Sequence, residues 1–251
     1  MTDRPNFAIV GGTGLDALSG EIWSEPVSVR TSSGEVTLWS LADNYTEPHH
    51  LYFLPRHGQD HQAPPHEIDH FAHVEALESL AVGTVLATNA AGSLRPSITE
   101  GSLVTPHDFI SFMHGPATTM FRDRAGWQHT DFTNAYSETA RQAIWMAADD
   151  LGLEVHHNGV YLGTDGPRFE TPAEVRMFAA WGADVVGMTG VPEAILCREA
   201  GLRYASLTVV TNMAAGLGNA APDHASISAY AADSAPTIMA LLMHAIRRLA
   251  G

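Results

Sequence analysis

Five short apolar runs in this chain each stop at glycine, small or polar residues. Residues 7–10 lead into GGTG, 51–54 into PRHG, and 83–88 into NAAGS. Residues 160–162 lead towards GPRFET at 166–171, and 202–210 into Thr211-Asn212. Brief apolar runs bounded by turn-forming residues read as buried strands. Segments with helical patterning alternate with them, at 71–80, 139–151, 172–180, 191–200 and 226–249. Strand–helix alternation without a repeat, a linker or a low-complexity tract predicts an α/β fold in one domain over 1–251, built on a mixed or largely parallel sheet. With 251 residues, 45% of them hydrophobic, the chain can bury a sizeable core. Open α/β sheets hold their ligands at strand ends, so the polar residues that close these runs are the first candidates for a site.

Local signals refine the outline. Residues 21–41 alternate polar and apolar around a turn at Ser32-Ser33-Gly34, which predicts a hairpin. Thr171 with Glu174 three positions on is a capping-box signature for the start of a helix. Pro236 is expected to interrupt or bend the last helix. Residues 111–136, rich in Gly, Pro, His and aromatics, predict a long excursion of the functional or interfacial kind.

Charge narrows the chemistry. Acidic residues outnumber basic ones 28 to 13, giving a net charge of -15. That balance argues against nucleic-acid or anionic-membrane partners. All 13 basic residues are Arg and none is Lys. A Walker lysine, a pyridoxal-phosphate Schiff base and a lysine general base are thereby excluded. A bound phosphate would have to be held by Arg, His, hydroxyls and backbone N–H groups. The single Cys197 excludes a disulfide framework and a Cys-rich zinc site. Neither a charged apolar leader nor a bilayer-spanning run is evident, so the expectation is a soluble, cytoplasmic protein.

The candidate site residues fall at the strand ends. Thr13 stands in a glycine turn that suits close approach of an anion to the backbone. The turn lacks G-x-G-x-x-G, so a dinucleotide cofactor is not indicated, and a turn without a ligand is the alternative reading. Arg56-His57 can offer two donors to one anion. Asn89 and Ala90 lie in a small-residue stretch that lets a ligand near backbone N–H groups. Between 159 and 212, Phe169, Glu170, Met188, Thr189 and Asn212 bring together an aromatic, a carboxylate, a hydroxyl and a carboxamide, a set able to hold a flat heterocycle by face and edge. Four His at 61, 66, 70 and 73 include helical i,i+3 and i,i+4 spacings. Without an H-E-x-x-H pattern they read as a polar helix face, not a metal site.

These motifs, in this order and over nearly the whole length, resemble the trimeric purine nucleoside phosphorylases and methylthioadenosine or methylthioinosine phosphorylases. The marks are GGTG at 11–14, RHG at 56–58, TNAAGSL at 88–94, GPRFET at 166–171, GADVVGMTGVPE at 182–193 and TN at 211–212. The resemblance implies a mixed, partly barrel-like sheet flanked by helices, a homotrimer, and reversible cleavage of a purine nucleoside by phosphate. It implies no cofactor and no metal, inorganic phosphate being a co-substrate. It places phosphate on Thr13, Arg56, His57, Asn89, Ala90 and Thr189. It places base and sugar on Phe169, Glu170, Met188, Asn212, Met213 and Ala214, with catalysis on Asn212, Glu170 and His57. His129 is expected to reach a neighbouring subunit's substrate, and His224 to bond a 5′-hydroxyl. A hydrolase that uses water in place of phosphate, and a binding protein without turnover, are the other classes considered.

Two residues speak to the base. Glu170 as a carboxylate accepts, which suits the N1–H of a 6-oxopurine and opposes the bare N1 of adenine. Asn212 can donate to O6 or N7. In the methylthioadenosine enzymes an aspartate stands in place of the latter and a hydroxyl residue in place of the former. The expectation is therefore inosine or guanosine as substrate, with methylthioinosine as the alternative.

Overall fold

Why the chain folds as it does is visible in its strand ends and in how one face of each strand is shared out. The computed structural model describes residues 6–12, 15, 23–41, 50–59, 62–114, 118–122, 126–218 and 222–251. Its strands are β1 (Asn6–Gly11), β2 (Trp23–Thr31), β3 (Gly34–Leu41), β4 (Leu51–Pro55), β5 (Val82–Ser93), β6 (Leu103–Phe112), β7 (Val155–Thr164), β8 (Val185–Gly187) and β9 (Arg203–Met213). Its helices are α1 (His70–Ser79), α2 (Glu138–Leu151), α3 (Pro172–Ala180), α4 (Gly190–Glu199) and α5 (His224–Ala250).

The strands form one sheet in the order β2-β3-β4-β1-β5-β8-β7-β6-β9, and β9 returns to pair with β5. That last pairing closes β5, β8, β7, β6 and β9 into a five-stranded ring, the partly barrel-like sheet that the motifs imply. Period-2 alternation explains the closure. Ala91, Val104, Tyr161, Val185 and Val210, one from each ring strand, gather in a single buried cluster. Their neighbours Leu162 and Val186 turn the other way, to pack with Val175 and Phe178 of α3.

Outside the ring the sheet is covered on both faces. Ile144 and Ala147 of α2 and Leu241 and Leu242 of α5 bury Phe7, Ile9 and Leu207. Phe71 and Leu77 of α1 and Ala194 of α4 cover Ala8, Val10, Leu54 and Val85. Each such large apolar side chain contributes about 1.5–3 kcal/mol when fully buried.

The elements arrive where the patterns put them, with extensions. The hairpin of β2 and β3 turns at Ser32 and Ser33. Thr171 accepts from the backbone N–H of Glu174 and the Glu174 side chain bonds back, completing the capping box. The NAAGS stretch is not a loop but the end of β5, because it pairs with β9 through Ser93↔Met213. Likewise β6 runs on to Phe112 through its ladder with β7. α5 passes through Pro236 without a break. Proline removes one backbone bond there, and the burial of Ala235, Ile238, Met239 and Leu242 holds the helix together. Among the described residues no helix is long and apolar enough to cross a membrane.

β1, β4, β5 and β9 run parallel to one another. Their C-terminal ends therefore share one edge. This edge carries the site.

Candidate active site

A cavity of about 450 Å³ opens at that edge, within the range of small-molecule sites. Its wall includes Gly12, Arg56, His57, Ala90, Glu170, Met188, Thr189, Asn212 and His224. Residues from distant parts of the chain meet there because the parallel strands end there.

One set of wall residues suits an anion. Arg56 follows β4 and is only 1% exposed. Its Nε donates to Glu193 Oε1 at 2.5 Å and its Nη2 to Glu193 Oε2 at 2.9 Å. Its Nη1 donates to the carbonyl of Thr88 at 2.7 Å. Burial alone would lower the pKa of this guanidinium, but the facing Glu193 carboxylate outweighs it and raises it. Burial likewise pulls Glu193 towards the neutral acid, yet Arg56 holds its carboxyl well below the usual range. Both groups are thus charged. Gly12 lies against the guanidinium: a Cβ there would stand 2.5 Å from Nη1. No side chain fits between the β1 turn and Arg56, so glycine is required by contact.

His57 is fixed by its Nδ1, 2.8 Å from the carbonyl of Ala63. A carbonyl only accepts, so Nδ1 carries the proton. Thr189 ends the β8 turn and is the N-cap residue of α4, but its hydroxyl makes no cap bond to the helix. The hydroxyl accepts instead from Asn89 Nδ2 at 3.1 Å. Thr189, the N-cap residue of α4, is thus the part of that helix start that lies on the cavity wall.

Another set suits a purine. Glu170 directly precedes the capping Thr171 of α3, so the capping box fixes where it stands. Its Oε1 accepts from Thr164 Oγ1 at 2.9 Å. Burial raises its pKa, partly offset by backbone and Thr164 hydrogen bonds. Asn212 lies opposite Gly92 in the β5–β9 ladder. Its Nδ2 donates to the Met213 carbonyl at 3.0 Å and its Oδ1 accepts from Thr211 Oγ1 at 3.1 Å. A carboxamide has two donors and two lone pairs, so half of its capacity is left for a ligand. Phe169, 37% exposed, gives a ring face on the rim. Met188 packs at Gly166, whose φ of +66° suits glycine and whose missing Cβ makes room for the Met188 sulfur. Glu170 also borders a second cavity of about 130 Å³, shared with Thr164, Arg168 and Glu174.

The structure brings Arg56, His57, Ala90, Phe169, Glu170, Met188, Thr189, Asn212, Ala214 and His224 to one cavity. His224 is exposed at the start of α5, beside Pro222 and Ile227. Thr13 lies outside the described residues. Asn89 is set behind the wall: it is 2% exposed, its Oδ1 accepts from Ser206 Oγ, and its amide holds Thr189. Met213 is not on the wall either, and reaches the site through its carbonyl to Asn212. His129 is exposed beside Trp127, away from this cavity.

The His-bearing helix differs from a polar face. His70 is buried in α1, its Nδ1 3.6 Å from Glu193 Oε1. His73 is pushed down to about 4, first by burial and then by His70. Among the described residues no group of three or more His, Cys, Asp or Glu is placed to hold a metal ion.

The sequence profile of the Phosphorylase superfamily matches residues 8–247. The chain belongs to that superfamily. A Moorella thermoacetica protein named as a probable 6-oxopurine nucleoside phosphorylase is 42% identical to this phosphorylase over 243 residues, 96% of this chain and 92% of its own length. The 6-oxopurine nucleoside phosphorylase of Pyrococcus furiosus is 38% identical over 250 residues, again 96% and 92%. A probable S-methyl-5′-thioinosine phosphorylase of Pseudomonas syringae pv. tomato is 36% identical over 241 residues, 94% of this chain and 96% of its own. Among solved structures, methylthioadenosine phosphorylase from Schistosoma mansoni in complex with adenine superposes with a TM-score of 0.91. It shares 28% identity over 98% of this chain and 92% of that one. The mixed sheet with its five-stranded ring is thus the fold of this phosphorylase's relatives.

Sequence reasoning named ten of the wall residues but gave Glu193 no role. The residue stands in the quoted GADVVGMTGVPE stretch. A glutamate at the fourth position of an otherwise apolar helix start, flanked by Val191, Pro192 and Ala194, was the signal. Acids are almost never fully buried unless paired.

Proposed function

We propose that this phosphorylase cleaves 6-oxopurine nucleosides, inosine or guanosine, with inorganic phosphate, giving free purine and ribose 1-phosphate. The observation that carries it is that Glu170 and Asn212 line one cavity together with Arg56, His57 and Thr189. Similarity to relatives named 6-oxopurine nucleoside phosphorylase supports the base.

The steps follow from charge. As the bond from C1′ to N9 breaks, positive charge grows on the sugar and negative charge on the base. A phosphate oxygen held beside Arg56 and Thr189 stabilises the cation and attacks C1′. The bonding electron pair leaves with the purine. The remaining N–H of Asn212 donates to N7 or O6 as charge builds there, and Glu170 accepts from N1–H. No group on the protein becomes covalently bound, and the reaction needs no cofactor.

A methylthioinosine substrate is the second reading. Pro222 and Ile227 on the cavity wall give an apolar surface for a thioether, while His224 on the same wall suits a hydroxyl. A homotrimer goes with the proposal, with exposed His129 completing a neighbour's site, as does a cytoplasmic location, where nucleosides and phosphate meet. The test is a turnover panel in saturating phosphate: inosine, guanosine, adenosine, methylthioinosine and methylthioadenosine. Inosine or guanosine should lead. Adenosine running ahead of inosine would overturn the base assignment.

A further inference from the structure

We propose that Glu193, backed by Tyr204 and His70, is the positioning residue of the anion site: it aims Arg56 at phosphate and ties it to α4, whose N-cap residue Thr189 stands on the same cavity wall. The proposal rests on the phosphorolysis reading.

Both Glu193 oxygens take an N–H from the same edge of Arg56, at 2.5 and 2.9 Å. A fork-to-fork pair of this kind fixes direction as well as distance. With Nη1 also held by the Thr88 carbonyl, the guanidinium has one orientation, with its opposite edge turned past Gly12. Arg56 is on the cavity wall, whereas Glu193, Tyr204 and His70 are not. Glu193 is itself held: Tyr204 donates to its Oε2 at 2.9 Å, and His70 Nδ1 stands 3.6 Å from its Oε1. Burial pushes the Tyr204 hydroxyl well up, so it remains a neutral donor.

The network joins four elements behind one point. Arg56 follows β4, Glu193 is in α4, Tyr204 in β9 and His70 in α1. Glu193 comes one helical turn after Thr189, the N-cap residue of α4. The ion pair therefore ties two wall residues of the anion site together, Arg56 directly and Thr189 through the first turn of α4. A pair serving the core alone would have no need to place its cation on a cavity wall. Because Glu193 balances the buried charge of Arg56, the site attracts phosphate by aimed donors more than by excess charge.

The test compares Glu193→Gln, Glu193→Asp and Tyr204→Phe with the unaltered enzyme, reading KM for phosphate, KM for inosine, kcat and Tm. Gln places an amide N–H against an arginine N–H and should raise the phosphate KM about 10- to 100-fold, with the inosine KM within about twofold. Asp keeps the charge and should recover part of the loss. Tyr204→Phe removes one oxygen and should raise the phosphate KM about 2- to 5-fold; it carries the test if Glu193→Gln does not fold. A lower Tm with an unchanged phosphate KM, or both KM values rising together, would overturn the positioning role. Phosphate-independent cleavage by the unaltered enzyme would overturn the underlying reading instead.

Discussion

The contact between Gly12 and Arg56 gives a sharp prediction. In Gly12→Ala the new Cβ would stand 2.5 Å from Arg56 Nη1. Carbon and nitrogen in contact want about 3.5 Å, so one of them must move by about 1 Å. The backbone at Gly12 is held by Leu15, whose N–H donates to its carbonyl, and by the neighbouring Gly11 carbonyl, which accepts from Arg56 N–H at 2.8 Å. The guanidinium is held by three donated bonds to Glu193 and Thr88. Whichever yields, the donors meant for phosphate lose their aim. A charge-assisted contact is worth about 1.5–3 kcal/mol, which is roughly a 10- to 150-fold change. The phosphate KM of Gly12→Ala should rise by that much, while the inosine KM, set by Glu170 and Asn212, stays near the parent's. Gly83→Ala is the control, since its Cβ would meet nothing closer than 4.0 Å. Initial rates with phosphate and inosine varied in turn decide the matter. A Gly12→Ala enzyme with an unchanged phosphate KM would refute the reasoning about Arg56.

Three further predictions concern the base and pH. Asn212→Asp should shift relative activity from inosine towards adenosine, because a carboxylate accepts where the carboxamide donated; a substrate panel showing an unchanged ratio would count against its contact with the base. Thr164→Val removes a hydrogen bond that lowers the pKa of Glu170. The acid limb of kcat/KM for inosine, which falls as Glu170 takes a proton, should then move to higher pH, and a stationary limb would contradict Glu170 as the acceptor. His73 bears on stability: folded, it titrates at about 4 against 6.5 for an ordinary histidine. The unfolded chain binds that proton first, so its contribution is complete above pH 6.5 and is lost as pH falls from there to 4, by roughly 2–3 kcal/mol. His73→Phe should flatten the denaturation midpoint over that window, and an unaltered slope would rule His73 out as its source.

What the sequence made legible was local. The stops of the apolar runs after residues 10, 54, 162 and 210, and the Thr171–Glu174 cap, are set by neighbours a few positions apart, and they pointed to the edge where the cavity lies. What it hid depends on distant pairings. Arg56 and Glu193 are 137 positions apart, and nothing near either shows that they meet. For the same reason His70, which reads as part of a polar helix face, turns inward to Glu193. Asn89 lies in a motif that implies phosphate contact, but its side chain faces Ser206 and Thr189 because β5 continues in register with β9. The ring closure itself rests on β9 returning to β5, which alternation of strands and helices along the chain does not reveal.

The central claim is transfer of the sugar to phosphate, and the most direct measurement follows both products from inosine with and without phosphate. Hypoxanthine is read by absorbance and ribose 1-phosphate by phosphorus NMR. The account predicts one ribose 1-phosphate for each hypoxanthine, with release that saturates in phosphate and stops without it. Release of hypoxanthine at an undiminished rate in the absence of phosphate, with free ribose as the product, would contradict it.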